Sequence, residues 1–297
     1  MINMLLLTLA TMIWGFGFVG TRWTLIDYSP LWSNSLRFII AGLLSLPYLL
    51  RRGKLNSYKS MIIASILLYS ALQLQTAGVK ITTLAKSGFL TTFYAIFTPI
   101  FSMIFQHQRF RKSYWFLVFT SMLGILFLCE LKIDNFNQGD FLILLSAIVF
   151  SWHILVVDKI ANSENPIAFN FWQCVIIGLI GLPIAFFSEG PVSLQPLLSL
   201  DKLFHRSSLD GFLIVAVFSS MLAFTIQVIS QKGLKPHVVS LIFLMESVFS
   251  AIFGFIFFDE KLSTLGLTGA FIVLASVALT PKFTSYEKKE PPIQGAS

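Results

Sequence analysis

A few polar residues set in long apolar runs carry whatever chemistry this sequence can do. Glu246 has eight residues of the run Val238–Phe258 before it and twelve after, too deep for its carboxyl to reach water from either end. A carboxyl there must face a protein interior. It is then a candidate to take up and release a proton or to touch a substrate, or else one half of a structural ion pair with a cation such as Arg37 or Lys86. Arg37 lies inside the apolar run Pro30–Leu50, where it needs water, a lipid phosphate, a packing partner or a ligand. His153 is the histidine well inside such a run and can titrate near neutrality, although an uncharged core histidine fits the same position. Gln75 and Gln227 could each offer an amide to a cavity or join helices. Tyr94 could meet a ligand with both ring and hydroxyl. Trp14 and Trp152 open apolar runs and could line a cavity, with interfacial packing as the alternative. Pro99, mid-run, removes one backbone donor and should kink its helix, as a gate or as a plain bend.

These residues must be positioned by membrane-spanning elements. Of 297 residues 56% are hydrophobic and 12% charged, with a mean hydropathy of +0.79, where a soluble domain carries about a quarter charged residues. Ten continuous apolar runs of roughly 17 to 23 residues each match the ~20 needed for a helix to cross a bilayer. They are Met4–Thr21, Pro30–Leu50, Met61–Val79, Ser87–Phe105, Ser113–Cys129, Phe141–Val157, Pro166–Ser188, Gly211–Gln231, Val238–Phe258 and Leu262–Pro281. Strands of a barrel would alternate, and these runs do not. The predicted class is an all-α integral membrane protein of ten transmembrane helices.

With the N-terminus in the cytoplasm, thirteen Lys and Arg fall on inside segments and seven outside, which favours both termini inside. The net charge of +7 is spread over these short clusters, so a nucleic-acid partner is not indicated. The Met-Ile-Asn start passes straight into an apolar run with no basic region or cleavage pattern, so the first span is expected to be retained. The polar stretch 282–297 is expected to be a disordered cytoplasmic tail. Cys129 and Cys174 lie in apolar runs without metal-ligand spacing and read as packing residues.

The chain also matches itself. A shift of 136 positions pairs Pro30 with Pro166, Asn34 with Asn170, Gly42 with Gly178 and Pro47 with Pro183. A shift of 152 pairs Gln75 with Gln227, Lys80 with Lys232, Tyr94 with Glu246, and the Phe97, Phe101, Phe105 face with Phe249, Phe253, Phe257. The expected units are residues 1–136 and 137–281. Five spans per unit is an odd number, so the second enters the membrane from the opposite side and the two become inverted repeats, an architecture suited to alternating access.

Trp14-Gly15, Arg37-Phe38 with Ala41-Gly42, Ala85-Lys86-Ser87-Gly88-Phe89-Leu90 running to Thr98-Pro99, Glu246-Ser247-Val248-Phe249-Ser250-Ala251, Gly254, and Asp259-Glu260-Lys261-Leu262 follow one another in order along the chain. In these residues the sequence resembles the drug/metabolite transporter superfamily, in its ten-span EamA-like family. Ser247 stands where that family usually has Pro, and Gln108 aligns with Glu260 where many members have Glu. The resemblance implies an inner-membrane permease for amino acids, their derivatives, nucleoside-like metabolites or toxic compounds, often exporting and often proton-coupled. Uptake of a nucleoside-type metabolite such as S-adenosylmethionine is the second expectation, and a non-transporting scaffold or sensor the third. No paired intramembrane Asp, His-Glu-x-x-His motif or phosphate-binding loop points to an enzyme, a metal or a cofactor. The expected partners are a small-molecule substrate, lipid and protons, with a homodimer left open. A central cavity is expected from spans one, three, four, six, eight and nine.

Overall fold

In a computed structural model the described residues are 2–128, 136–261 and 263–284, apart from the side chains of Ala85 and 281–284. Among them the chain is helical throughout, and ten apolar helical spans follow one another. Spans one to three are Ile2–Thr24, Pro30–Arg52 and Tyr58–Val79. Span four is made of two helices, Leu84–Thr91 and Tyr94–Gln106, and span five is Lys112–Leu128. Spans six and seven are Gln138–Ala161 and Pro166–Glu189. Span eight covers 208–231, span nine is Pro236–Phe243 plus Met245–Phe258, and span ten is Thr264–Thr284. Eight are long and apolar enough to cross a membrane, while spans five and ten are shorter apolar helices. Span ten runs through Pro281 to Thr284. Cys129 and the stretch 285–297 lie outside the described residues, and Cys174 is a buried free thiol.

The helix starts follow local chemistry. Ser29 and Asn165 accept bonds from backbone N–H groups of the first turn just ahead of Pro30 and Pro166, where a missing N–H costs nothing. Asn137 and Asp140 close a reciprocal box at the head of span six.

The main packing pairs join the first five spans to the last five. Span two lies along span seven, and span five along span ten. Span three packs on span six as span eight packs on span one, and span four packs on span six as span nine packs on span one. Each pairing therefore has a counterpart under exchange of the halves. Small residues permit the closest approaches: a Cβ on Gly211 would sit 2.6 Å from the Gly20 carbonyl oxygen.

The 152-residue shift reappears in backbone geometry. Span four breaks at Thr92–Phe93 and span nine at Leu244, its counterpart. Span four ends at His107 in the left-handed region (φ 52°), with the N–H of residues 107 and 108 both returning to the Ser102 carbonyl. Span nine ends at Asp259 (φ 55°), with the N–H of 259 and 260 returning to Gly254. The expected kink at Pro99 is not where span four breaks. Pro99 sits inside the continuous helix Tyr94–Gln106, and its counterpart is Ala251, so a proline cannot be the common cause.

Span eight carries the largest irregularity, a π-helical stretch over Leu213–Ala223. The wider turn changes which backbone groups pair within the helix. Asn170 of span seven answers with one amide that reaches Ser220 O (2.8 Å), Met221 O (2.9 Å) and Thr225 Oγ1 (3.0 Å). Its counterpart Asn34 reaches Leu72 O at 3.2 Å and Gln73 Oε1 at 3.3 Å. Replacing Asn170 by Ala should destabilise the protein by about 1–3 kcal/mol, because acceptors buried in an apolar setting lose their donor. Thermal unfolding of the purified variant measures this, with Asn34→Ala losing less; an unchanged midpoint would mean that these carbonyls are satisfied without Asn170.

Candidate functional site

Between the halves lies a partly open cavity, with about 570 Å³ of non-atom space when open solvent is included. Its wall comes from spans one, three, four, six, eight and nine, as expected, and also from span two through Arg37. Trp14, Arg37, Gln75, Tyr94, His153, Gln227 and Glu246 all line it.

The polar centre is the contact between Tyr94 and Glu246. Tyr94 Oη lies 3.0 Å from Glu246 Oε2 and 2.9 Å from the Phe243 carbonyl oxygen. Both residues follow the helix breaks by two positions and both are buried. They are repeat counterparts in contact with each other, so the pseudo-two-fold relation passes between them. No Lys, Arg or His nitrogen lies within 4 Å of the Glu246 carboxylate among the described residues. The two cations considered as its partners are engaged elsewhere, Lys86 with Asp140 at 2.9 Å and Arg37 Nε with Ser220 Oγ at 2.6 Å. Tyr94 Oη is the donor in both contacts, so its one hydrogen is shared between the Glu246 carboxyl and the Phe243 carbonyl.

Aromatic rings supply the apolar wall. Trp14 packs at 5.0 Å against Phe224 and at 5.0 Å, edge-on, against Phe243, which itself meets Tyr94 at 5.5 Å. Gln75 Nε2 donates to Thr91 Oγ1 (3.1 Å), and Gln227 Nε2 donates to Gln231 Oε1 (2.8 Å), whose own amide reaches the Ile154 carbonyl (3.0 Å). His153 Nε2 lies 3.2 Å from the amide of Gln173, the repeat counterpart of Arg37.

Trp152 is not brought to the cavity. It stacks at 4.9 Å on Phe101 and lies 4.7 Å from Phe105. Adjacent residues on a helix point about 100° apart, so with His153 turned inward Trp152 turns onto span four. The expectation failed because it moved Trp152 two residues off the 136 register to match Trp14. In register, Trp152 corresponds to Phe16, which packs on Phe253 (5.0 Å) and Phe257 (5.6 Å), the counterparts of Phe101 and Phe105. Trp14 in register corresponds to Phe150, which does line the cavity. Phe150 was therefore legible from the repeat; Ser219 and Thr91, also in the wall, carry no such signal.

Polar contacts join the halves at one set of span ends. Arg22 donates to the Thr82 carbonyl at 2.6 Å and stands 3.7 Å from Glu260, whose Oε1 accepts from Leu84 N–H at 3.1 Å. Asp140 accepts from Thr82 Oγ1 (2.7 Å) and Lys86. Glu260 thus links the head of span four to Arg22 of span one.

The sequence profile of the EamA-like transporter family matches residues 1–129 and again 137–280. The chain belongs to this family. An "Uncharacterized transporter" from Archaeoglobus fulgidus is 30% identical over 92% of this chain and 83% of its own length. The "S-adenosylmethionine uptake transporter" of Rickettsia bellii is 22% identical, covering 86% and 83%, and the "Uncharacterized inner membrane transporter YedA" of Escherichia coli K12 is 24% identical, covering 90% and 86%. A solved crystal structure 14% identical in sequence superposes with a TM-score of 0.74 over 96% of this chain and 99% of the other, which shows the same fold. This EamA-like protein is a multi-pass membrane transporter. If the cavity is its substrate site, a transported substrate should change the tryptophan emission of the purified protein. That change should disappear in Trp14→Phe and persist in Trp152→Phe; the reverse pattern would place the site against span four.

Proposed function

We propose that this EamA-like protein is a secondary carrier of small metabolites across an inner membrane, with export of amino acids or related metabolites as the leading activity and proton exchange at Glu246 as the coupling step. The position of Glu246 carries the proposal: its carboxyl, with no cation within 4 Å among the described residues, is in the wall of the cavity and meets its repeat counterpart Tyr94. A proton site there is exposed in turn to each side when residues 1–136 and 137–281 rock against one another. Trp14, Gln75, His153 and Gln227 would contact substrate around it. The thirteen-to-seven distribution of basic residues supports both termini in the cytoplasm, which would put the 282–297 tail there. The Arg22, Lys86, Asp140 and Glu260 contacts would then sit at the outer end. The cavity is built within one chain, so the reading does not require a homodimer.

Uptake of an S-adenosylmethionine-like nucleoside metabolite is the second reading, favoured by the names of the rickettsial relatives, which are 22% identical. A scaffold or sensor would not need an internal cavity with a lone carboxyl.

Flux assays in liposomes with purified protein separate these readings, using labelled amino acids and nucleoside metabolites with and without an imposed pH gradient. Accumulation above equilibrium only with the gradient is expected. Glu246→Gln should abolish that accumulation while leaving expression and insertion intact, because the amide oxygen can still accept from Tyr94. Gradient-driven accumulation by the variant at every pH would remove Glu246 from coupling. Tyr94→Phe should retain transport with an altered pH profile, and an unaltered profile would mean that the hydroxyl does not share the proton.

A further inference from the structure

The cavity wall holds hydrogen-bond donors that are unused among the described residues. Ser219, 1% exposed, and the indole nitrogen of half-buried Trp14 both line it, and neither the Ser219 hydroxyl nor Trp14 Nε1 has a hydrogen-bond partner among the described residues. Arg37, 4% exposed, lines the same wall and has no carboxylate within 4 Å among the described residues. Its Nε donates to Ser220 Oγ at 2.6 Å, a bond that anchors the stem of the guanidinium plane.

Local structure gathers these donors. Ser219 and Ser220 are consecutive in the π-helical stretch of span eight, where the wider turn sets successive side chains closer together around the axis. Ser220 meets span two through Arg37, while Ser219 meets span one at Gly17, where an added Cβ would lie 2.6 Å from Ser219 Oγ. Gly17 is one helical turn from Trp14, so both belong to the same face of span one. A fixed positive charge, a hydroxyl and an indole N–H are all groups that donate to oxygen, and Arg prefers planar oxyanions. A buried cation without a counter-ion is costly in a membrane unless its function supplies one.

We infer that Arg37, Ser219 and Trp14 form the subsite that receives an oxyanion group of the transported molecule, a carboxylate or a phosphate, with the apolar body lying against Phe150, Phe224 and Phe243. This rests on the carrier reading and narrows its cargo: neutral nucleosides and simple amines lack the group that the subsite holds. Glu246 is on the same wall with Tyr94 and outside salt-bridge distance of Arg37, which leaves the guanidinium to the acid group of a ligand.

Purified full-length protein in detergent tests the subsite by thermal stabilisation with matched probes: phenylalanine, 3-phenylpropionate, phenylalaninamide, phenethylamine and phenyl phosphate. Stabilisation by acid-bearing probes and not by phenylalaninamide or phenethylamine is expected. A response confined to carboxylates or to phenyl phosphate names which oxyanion is held. Arg37→Gln should weaken the response by about ten- to hundredfold, the loss of a charge-assisted bond, with partial recovery in Arg37→Lys. Because Arg37→Gln could lose the fold along with the site, Ser219→Ala serves as the second variant, expected to weaken binding several-fold with rescue by Ser219→Thr. Arg52→Gln, exposed at the end of span two and outside the cavity, should leave the response unchanged. Equal stabilisation by the amines, no stabilisation by any probe, or acid binding that survives both Arg37→Gln and Ser219→Ala would overturn the subsite. Liposome flux that persists alongside such a result would leave the carrier standing, whereas acid binding at Arg37 without flux of any substrate would overturn the carrier instead.

Discussion

Inside a bilayer no water is available to satisfy a polar group, so each donor and acceptor within the ten spans must find its partner in the protein. That constraint explains why Asn170 is bonded to two backbone carbonyls beside the π-helical stretch and why Asn34 performs the matching task in the other half. It also explains the clustering of charge. Lys86 and Asp140 meet each other, Arg22 meets Glu260, and these pairs occupy the ends of spans where water is near. Two charged side chains stand apart from these pairs, Glu246 with no cation and Arg37 with no anion within 4 Å among the described residues, and both are in the wall of one cavity.

Approximate symmetry surrounds that cavity. The breaks at Thr92–Phe93 and at Leu244, the left-handed ends at His107 and Asp259, and the exchange-related helix pairs describe two similar halves packed across one site. The differences between the halves are where the chemistry sits. Tyr94 faces Glu246, Arg37 corresponds to Gln173, and the π-helical stretch in span eight corresponds to regular helix in span three. An ancestral symmetric frame with a few broken positions would give both the movement and the binding specificity without any added domain.

Much of this was readable in the sequence for a physical reason: hydrocarbon thickness sets span length, and depth along a span tells which ionisable residues cannot reach water. Glu246 and Arg37 were legible on that ground, and the repeat registers added Tyr94, Gln75 and Gln227. The helix breaks were not legible. Nothing at Leu244 disfavours a helix, and the one strong local signal, Pro99, sits within a continuous one. Ser219 and Ser220 were equally hidden, because a π-helical stretch depends on tertiary partners such as Asn170 rather than on the residues it contains. Trp152 shows the opposite error, a match of residue type preferred over register.

The central claim is that the halves move against each other around this cavity. It is tested most directly by locking one end, with Thr82 and Asp140, whose side chains meet at 2.7 Å, both replaced by Cys in a chain where Cys129 and Cys174 are Ser. Liposome flux should proceed with the thiols reduced, stop on oxidation to the cross-link, and return on reduction. Flux that continues through a fully formed cross-link would contradict alternating access through this cavity.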